Sequence, residues 1–191
     1  MASVEILVLI SGPVAVGKTA LRQELIAVHE FDYVRSGSYL LARAEQQGIA
    51  SCRTDLQNLG DALDRQTDYR WLLDDVALPG FAKVPEQRRW LVDAVRKARQ
   101  IEHFRAEFGS AVLHVHLTAS EDILRNRYER RRLESGVIYD KTPYETAISH
   151  ENEIASRSLI SLADIVIDTG HNAANDAANH VRDAAFRKCN D

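Results

Sequence analysis

Residues 12–19 read Gly-Pro-Val-Ala-Val-Gly-Lys-Thr, the spacing GxxxxGK[ST], and they follow at once on the run Glu5-Ile-Leu-Val-Leu-Ile10. Branched apolar residues in so short and continuous a run, ended by Ser-Gly-Pro, predict a parallel strand buried on both faces. From Thr19 to His29 the apolar residues Leu21, Leu25, Ile26 and Val28 recur at helical spacing, so the glycine-bearing stretch joins a buried strand to a helix. In that setting Gly17 permits close backbone approach, and successive amides at a helix N-terminus form a nest for an anion. Gly12, Pro13, Val14, Ala15, Val16, Gly17, Lys18, Thr19 and Ala20 are therefore expected to surround the phosphates of ATP. Lys18 would bridge the β and γ oxygens and Thr19 would ligate magnesium. A chance glycine turn before a helix is the competing reading, and the agreement of strand, motif and helix weighs against it.

The alternation of short apolar runs and helical patterns continues along the chain. Phe31 to Val34, Trp90 to Val95, Ala111 to Leu117 and Ala163 to Asp168 are further expected strands. Helices are expected over Ser38–Gln47, over Thr54–Val76 in one piece or two, with Thr54 as N-cap and Leu78-Pro79-Gly80 as the end, and over Gln100–Phe108. Further helices are expected from Ser120 to about Leu133, from Thr142-Pro143 to about Leu162, and from Ala173 to Arg187, with a loop at Gly136–Lys141. Strands and helices in this order imply a three-layer α/β fold, a five-stranded parallel sheet with helices on both faces and ligands at the strands' carboxyl ends.

The chain's 191 residues fit one domain with a substantial core, and a formal charge of −4 offers no global attraction for nucleic acid or anionic lipid. Any anion site must be local. The apolar run at the N-terminus is too short to span a membrane and lacks the flanks of a signal peptide. Cys52 and Cys189 form no CxxC pair and point to a reducing, cytoplasmic setting.

Among nucleotide-binding classes, a regulatory GTPase needs an Asp-x-x-Gly switch and an Asn-Lys-x-Asp base reader, and neither string occurs. An ATPase motor usually carries paired acids after its third strand, whereas Asp93 is followed by Ala94 and Val95. A small-molecule kinase needs instead an arginine lid and an acceptor pocket that exclude water. Residues 124–132, Leu-Arg-Asn-Arg-Tyr-Glu-Arg-Arg-Arg, supply five arginines, of which Arg127 and Arg131 share a helical face and suit a charge-spreading transfer. The same run also reads as a solvated basic helix end, favoured by its own dipole.

Most of the chain resembles the P-loop nucleoside and deoxynucleoside monophosphate kinases and the dephospho-CoA kinase branch. Besides the P-loop, Arg35-Ser36-Gly37-Ser38-Tyr39-Leu40-Leu41 resembles the acceptor-side turn of adenylate kinases. Arg53-Thr-Asp-Leu-Gln57-Asn-Leu-Gly60 resembles the Arg-x-x-Leu-Gln-x-x-Gly stretch of deoxynucleotide kinases, and Leu91-Val92-Asp93-Ala94-Val95-Arg96 their Asp-Gly-Val-Arg strand end. The resemblance implies an acceptor insertion over about 36–80 and a lid over about 125–145. It implies that Asp93 orients magnesium, that Arg53 and Arg96 hold the acceptor phosphate, and that Arg35, Ser38, Tyr39, Gln57 and Gln100 line the acceptor site. Catalytic roles fall to Lys18, Asp93, Arg127 and Arg131, with Thr19 and Asp93 toward the metal. Ala94 stands where the family has glycine, Ser38 where it has an acid and His150 where it often has arginine. Thr169-Gly170-His171 resembles the loop beside the donor adenine, and also reads as a plain turn.

The expected activity is transfer of the ATP γ-phosphate to a small phosphate acceptor, with magnesium, by a monomer or homodimer that binds neither nucleic acid nor membrane. The alternatives are an alcohol or dephospho-CoA-like acceptor, for which Asp32 or Asp93 would take the proton, and an ATP-binding regulatory module. His114 and His116 share a strand face and read as satisfied or partly buried imidazoles rather than metal ligands. Trp71, Trp90, Tyr69 and Phe81 read as packing, Asp74 and Asp75 as solvated or sugar-facing acids, and Arg88 and Arg89 as surface residues.

Overall fold

The computed structural model describes residues 4–49, 52–134 and 142–190. The first strand, β1 (Ile6–Ser11), is buried at all of its positions, as its unbroken apolar run requires. It is the middle of five parallel strands in the order β2 (Asp32–Arg35), β3 (Arg89–Asp93), β1, β4 (Val112–Thr118), β5 (Ile165–Asp168). Alternate residues of β1 serve opposite layers. Ile6, Val8 and Ile10 pack with Leu21 and Leu25 of α1 (Lys18–His29) and Val181 of α9 (Ala174–Asn190). Leu7 and Leu9 pack with Trp71, Phe81, and Ile101 and Phe104 of α5 (Ala98–Phe108). The sequence-derived architecture, a parallel sheet between two helical layers, is the one observed.

The chain builds β2 and β3 to one side of β1 and β4 and β5 to the other, so the carboxyl end of β1 is a topological switch point where a crevice opens. Register places Ile10 opposite both Asp93 and Val115, and Ser11 opposite His116, so these residues border that crevice. Asp32 lies at the other end of its strand, opposite Trp90, with its carboxylate on the Tyr33 amide at 2.7 Å. That position removes Asp32 from the expected candidates for a proton acceptor.

Two helical expectations are corrected. Residues 53–82 hold α3 (Arg53–Gln66), a turn, a π-helical stretch at Leu72–Ala77 and α4 (Leu78–Ala82), so Leu78-Pro79-Gly80 begins a helix instead of ending one. Proline tolerates a first turn but cannot donate to the preceding one, and the helix widens just before it. The N-cap of α3 is Cys52, two residues earlier than Thr54. Downstream, the single expected helix is three pieces: α7 (Tyr144–Ile148), α8 (Glu151–Ser158) and a 3-10 turn at Leu159–Leu162. Pro143 is the N-cap of α7, and His150 interrupts the path, its Nδ1 accepting the Asn152 amide at 3.1 Å to cap α8. The remaining helices are α2 (Ser36–Gln46), begun two residues earlier than expected, and α6 (Glu121–Glu134). β3 ends at Asp93, short of Val95, and the Asp93–Ala94 peptide is cis. The expected loop at 136–141 lies outside the described residues. No helix among the described residues is long and apolar enough to cross a membrane.

Candidate active site

Between β1 and α1 the chain turns back tightly over β4. Gly12 has φ +129°, and a Cβ there would stand 2.4 Å from the Leu117 carbonyl oxygen, so only glycine fits. Ala15 and Gly17 also have positive φ, at 62° and 106°, a curl that turns successive amides toward one side. Lys18 opens α1, and its ammonium donates to the carbonyls of Gly12 at 2.5 Å and Pro13 at 2.8 Å. Burial, then the positive charge of Arg96, pushes its pKa down to about 8, against the opposing pull of Glu153 and Asp93. Thr19 and Ala20 are exposed on the first turn of α1, where a metal-bound phosphate can reach the hydroxyl.

A cavity of about 190 Å³ lies at the mouth of this loop, floored by Gly12, Val14, Ala15 and Lys18. Its walls carry Arg96 from the segment after β3, Arg131 from α6, and Glu153 and Ser156 from α8. Three cations from three elements thus face one small volume with a single carboxylate among its lining residues, an arrangement suited to a compact polyanion. Glu153 is 5% exposed and its Oε1 accepts the Val14 amide at 2.6 Å, while Ser156 Oγ donates to the Gly12 carbonyl at 3.1 Å.

The paired lid arginines part company. Arg131 lines the cavity, whereas Arg127 donates to Thr169 Oγ1 at 2.9 Å and to the Thr169 carbonyl at 2.8 Å. Thr169 Oγ1 also lies 2.7 Å from the Val16 carbonyl, so Arg127 and Thr169 clasp the P-loop to the turn after β5. Asp93 sits at the carboxyl end of β3, where it is paired with Arg22 of α1, itself stacked over Tyr33 at 4.8 Å. Arg35 is opposite Asp93 in register and exposed.

On the insertion side, Tyr39 stacks on Trp71 with ring centroids 5.7 Å apart and its hydroxyl reaches Asp75 at 3.3 Å. Burial and the Asp75 charge raise the Tyr39 pKa. Ser38 is exposed on α2, Gln57 is half-buried on α3, and Arg53 opens α3 with its side chain outside the described set. Gln100 does not open onto a pocket. It is 4% exposed, its carbonyl accepts the Arg96 amide at 2.9 Å, and its amide donates to Asp64 at 3.2 Å. Asp64 also accepts the Trp71 indole at 2.7 Å. Burial raises the Asp64 pKa, against the pull of these two donors.

Comparison with solved structures agrees with the fold. Over 98% of this chain and 95% of theirs, it superposes on a gluconokinase from Sinorhizobium meliloti 1021 with a TM-score of 0.54 at 12% identity. A shikimate kinase from Acinetobacter baumannii in complex with shikimate gives 0.56 at 15% identity, covering 97% of this chain and 95% of that one. A sugar kinase from Janibacter sp. HTCC2649 gives 0.53 at 14%, covering 97% and 94%. The chain has the fold of a P-loop kinase. No family profile matches the sequence, and no curated protein does either.

Four groups in and around the site escape sequence reading. Glu153 reads only as an acid in the first turn of α8, and Ser156 as an ordinary helical serine. Arg22 falls among the polar positions of α1, yet is buried against Asp93. Asp64 carries no motif. Beneath the loop, Ser11 Oγ joins His114 Nε2 at 2.7 Å and His116 Nδ1 at 2.8 Å, so both imidazoles are buried hydrogen-bonding groups, but His114 Nδ1 has no hydrogen-bond partner among the described residues and that ring is only half satisfied.

Proposed function

We propose that this chain is an ATP-dependent phosphotransferase that passes the γ-phosphoryl group to a small nucleotide-like acceptor, a nucleoside or deoxynucleoside monophosphate. The observation that carries the reading is the convergence of Lys18, Arg96 and Arg131 on one cavity at the P-loop mouth. Transfer between two phosphates brings two polyanions together, and several fixed cations offset their repulsion while charge spreads over the moving group. Lys18 and the loop amides suit the donor phosphates. Arg96, held through its amide by Gln100, suits the acceptor phosphate, with Tyr39, Gln57 and the Arg53 segment on the same insertion side. No general base is needed when the acceptor is already an anion.

The donor set also fits magnesium: Thr19 is accessible at the start of α1, and Asp93 stands at the strand end beside the loop. The ion would supply positive charge to the donor phosphates, and Asp93 would hold it only by sharing its carboxylate with Arg22. A second reading, an alcohol acceptor such as a sugar acid, is favoured by the gluconokinase and shikimate kinase neighbours and by Glu153, the carboxylate among the cavity's lining residues.

The test is ADP release from magnesium ATP against a panel of nucleoside monophosphates, deoxynucleoside monophosphates, gluconate and shikimate. ADP formed only with a monophosphate, and lost in Arg96→Ala, supports the first reading. ADP formed only with an alcohol supports the second, and slow acceptor-independent hydrolysis indifferent to Arg96→Ala would defeat both.

A further inference from the structure

Glu153 is spent on an unusual contact. Its carboxylate holds a P-loop amide, Val14 N, at 2.6 Å, while lining the cavity that Lys18, Arg96 and Arg131 make cationic. A polyphosphate entering beside Lys18 adds negative charge to the same small volume, where like charges repel strongly. The carboxylate has somewhere else to go. Arg157 Nε, on the same helix, is buried with no hydrogen-bond partner, and it lies 3.5 Å from Glu153 Oε1, an ion-pair distance too long for a good hydrogen bond. A buried donor left unpaired is destabilising, so a small rotation of Glu153 off Val14 makes one bond as it breaks another.

The far side of Arg157 is anchored. Its Nη1 donates to Glu121 of α6 at 3.0 Å and its Nη2 lies 3.4 Å from the Tyr144 hydroxyl of α7, which in turn donates to Glu121 at 2.7 Å. Ser156 ties α8 to Gly12, so the carboxylate rather than the helix is the element free to move. α6 also carries Arg131 into the cavity.

We propose that Glu153 is a positioning residue that exchanges partners when a polyphosphate enters the P-loop. In the conformation described it braces the Val14 amide, and with the polyphosphate present it pairs with Arg157 and fixes, through Glu121, the helix that bears Arg131. The inference rests on the phosphate-binding reading of the loop. It makes Glu153 an internal anion that the nucleotide displaces, and Arg157 the residue that receives it.

The experiment is calorimetric titration of the chain and two variants with magnesium AMP-PNP, followed by steady-state kinetics. Glu153→Gln removes the competing charge and is expected to bind about tenfold tighter while kcat falls, since the neutral amide offers Arg157 a weaker hydrogen bond and no ion pair. Arg157→Lys keeps the charge but lacks Nε, and is expected to bind several-fold more weakly. A purely structural role for the pair would weaken binding in both variants. Equal or weaker binding by Glu153→Gln overturns the proposal, as does unchanged binding by Arg157→Lys, which carries the test should the first variant not fold. A wild-type chain that binds no AMP-PNP overturns the ATP reading itself and this proposal with it, an outcome distinct from wild-type binding with unaltered variants.

Discussion

Asp64 and Trp71 are joined by a hydrogen bond of 2.7 Å from the indole N–H to a carboxylate that is only 5% exposed. The same oxygen receives the Gln100 amide, and Gln100 receives the Arg96 amide, so one buried acid links the aromatic pair of the insertion to the arginine at the cavity wall. Asp64→Ala leaves a buried indole and a buried amide without an acceptor, and each such orphan is destabilising by about 1–3 kcal/mol. The expected outcome is a stability loss of roughly 2–6 kcal/mol in urea unfolding. It should be accompanied by a raised KM for the acceptor and a nearly unchanged KM for ATP. A rise confined to the ATP term would contradict this placement of the bracket.

Lys18 gives the donor side its own signature. Lys18→Ala should abolish turnover, and wild-type-like kcat in that variant would defeat the kinase assignment. Because burial and Arg96 hold the Lys18 pKa at about 8, below the ordinary 10.5, the free protein loses that positive charge as pH rises through about 8. Polyphosphate favours the protonated amine, so its affinity should be full below pH 8 and weaken steadily above it, with a proton taken up on binding. Titration of ATP at pH 7, 8 and 9 in two buffers of different ionisation enthalpy reads both effects. Affinity that stays level up to pH 9 would show that Lys18 keeps its charge there.

The parts of this fold that could be read in the sequence are those set by local patterns. The run Ile6–Ile10 fixed a doubly buried strand because each position is branched and apolar, and the glycines of the P-loop mark places where backbone, not side chain, must approach. What escaped reading depends on contacts between distant residues. Glu153 meets Val14 from 139 positions away, and no periodicity within α8 announces it. Arg127 and Arg131 share a helical face in projection, yet one meets Thr169 and the other the cavity, because residues one turn apart on a helix sit about 6 Å apart along its axis and can meet different neighbours. The helix expected over residues 143–162 broke at His150, whose ring caps the next helix, a use of histidine that propensity alone does not predict.

Arg22 and Asp93 make a sharper case at the strand end. Their side chains are 10% and 13% exposed, so removing the arginine strands a nearly buried carboxylate, a change of about 3–5 kcal/mol for paired buried charges. Arg22→Gln should therefore melt well below the wild type. If Asp93 faces the metal site, magnesium with ADP replaces part of the missing charge, and the variant should recover more Tm on adding it than the wild type gains. Thermal melts with ADP, with and without magnesium, decide the matter. Equal gains in the two proteins would place Asp93 outside the metal site and leave the ion pair as a strut between α1 and β3.

Beneath the loop, His116 couples acid pH to stability. Burial, with smaller contributions from His114 and Lys18, pushes its pKa down to about 4 from the ordinary 6.5, so the folded protein keeps this imidazole neutral where the unfolded chain protonates. Between those values the unfolded state binds more protons, and stability falls as pH is lowered from 6.5 toward 4. At about 1.4 kcal/mol per pKa unit the loss is on the order of 3 kcal/mol for a residue that is 2% exposed. Glu121, whose pKa is lowered chiefly by its hydrogen bond to Arg157, acts in the same direction at lower pH, its contribution being lost as pH falls below the ordinary 4.5. His116→Asn removes one titrating ring while keeping a polar group for Ser11, so its unfolding free energy should fall less between pH 6.5 and 4.5 than the wild type's, the remaining decline belonging to His114, whose pKa burial also lowers. Urea unfolding at pH 7, 5.5 and 4.5 separates the two proteins: a steep wild-type decline beside a shallow one in the variant is expected, and parallel declines would assign the acid sensitivity to other groups.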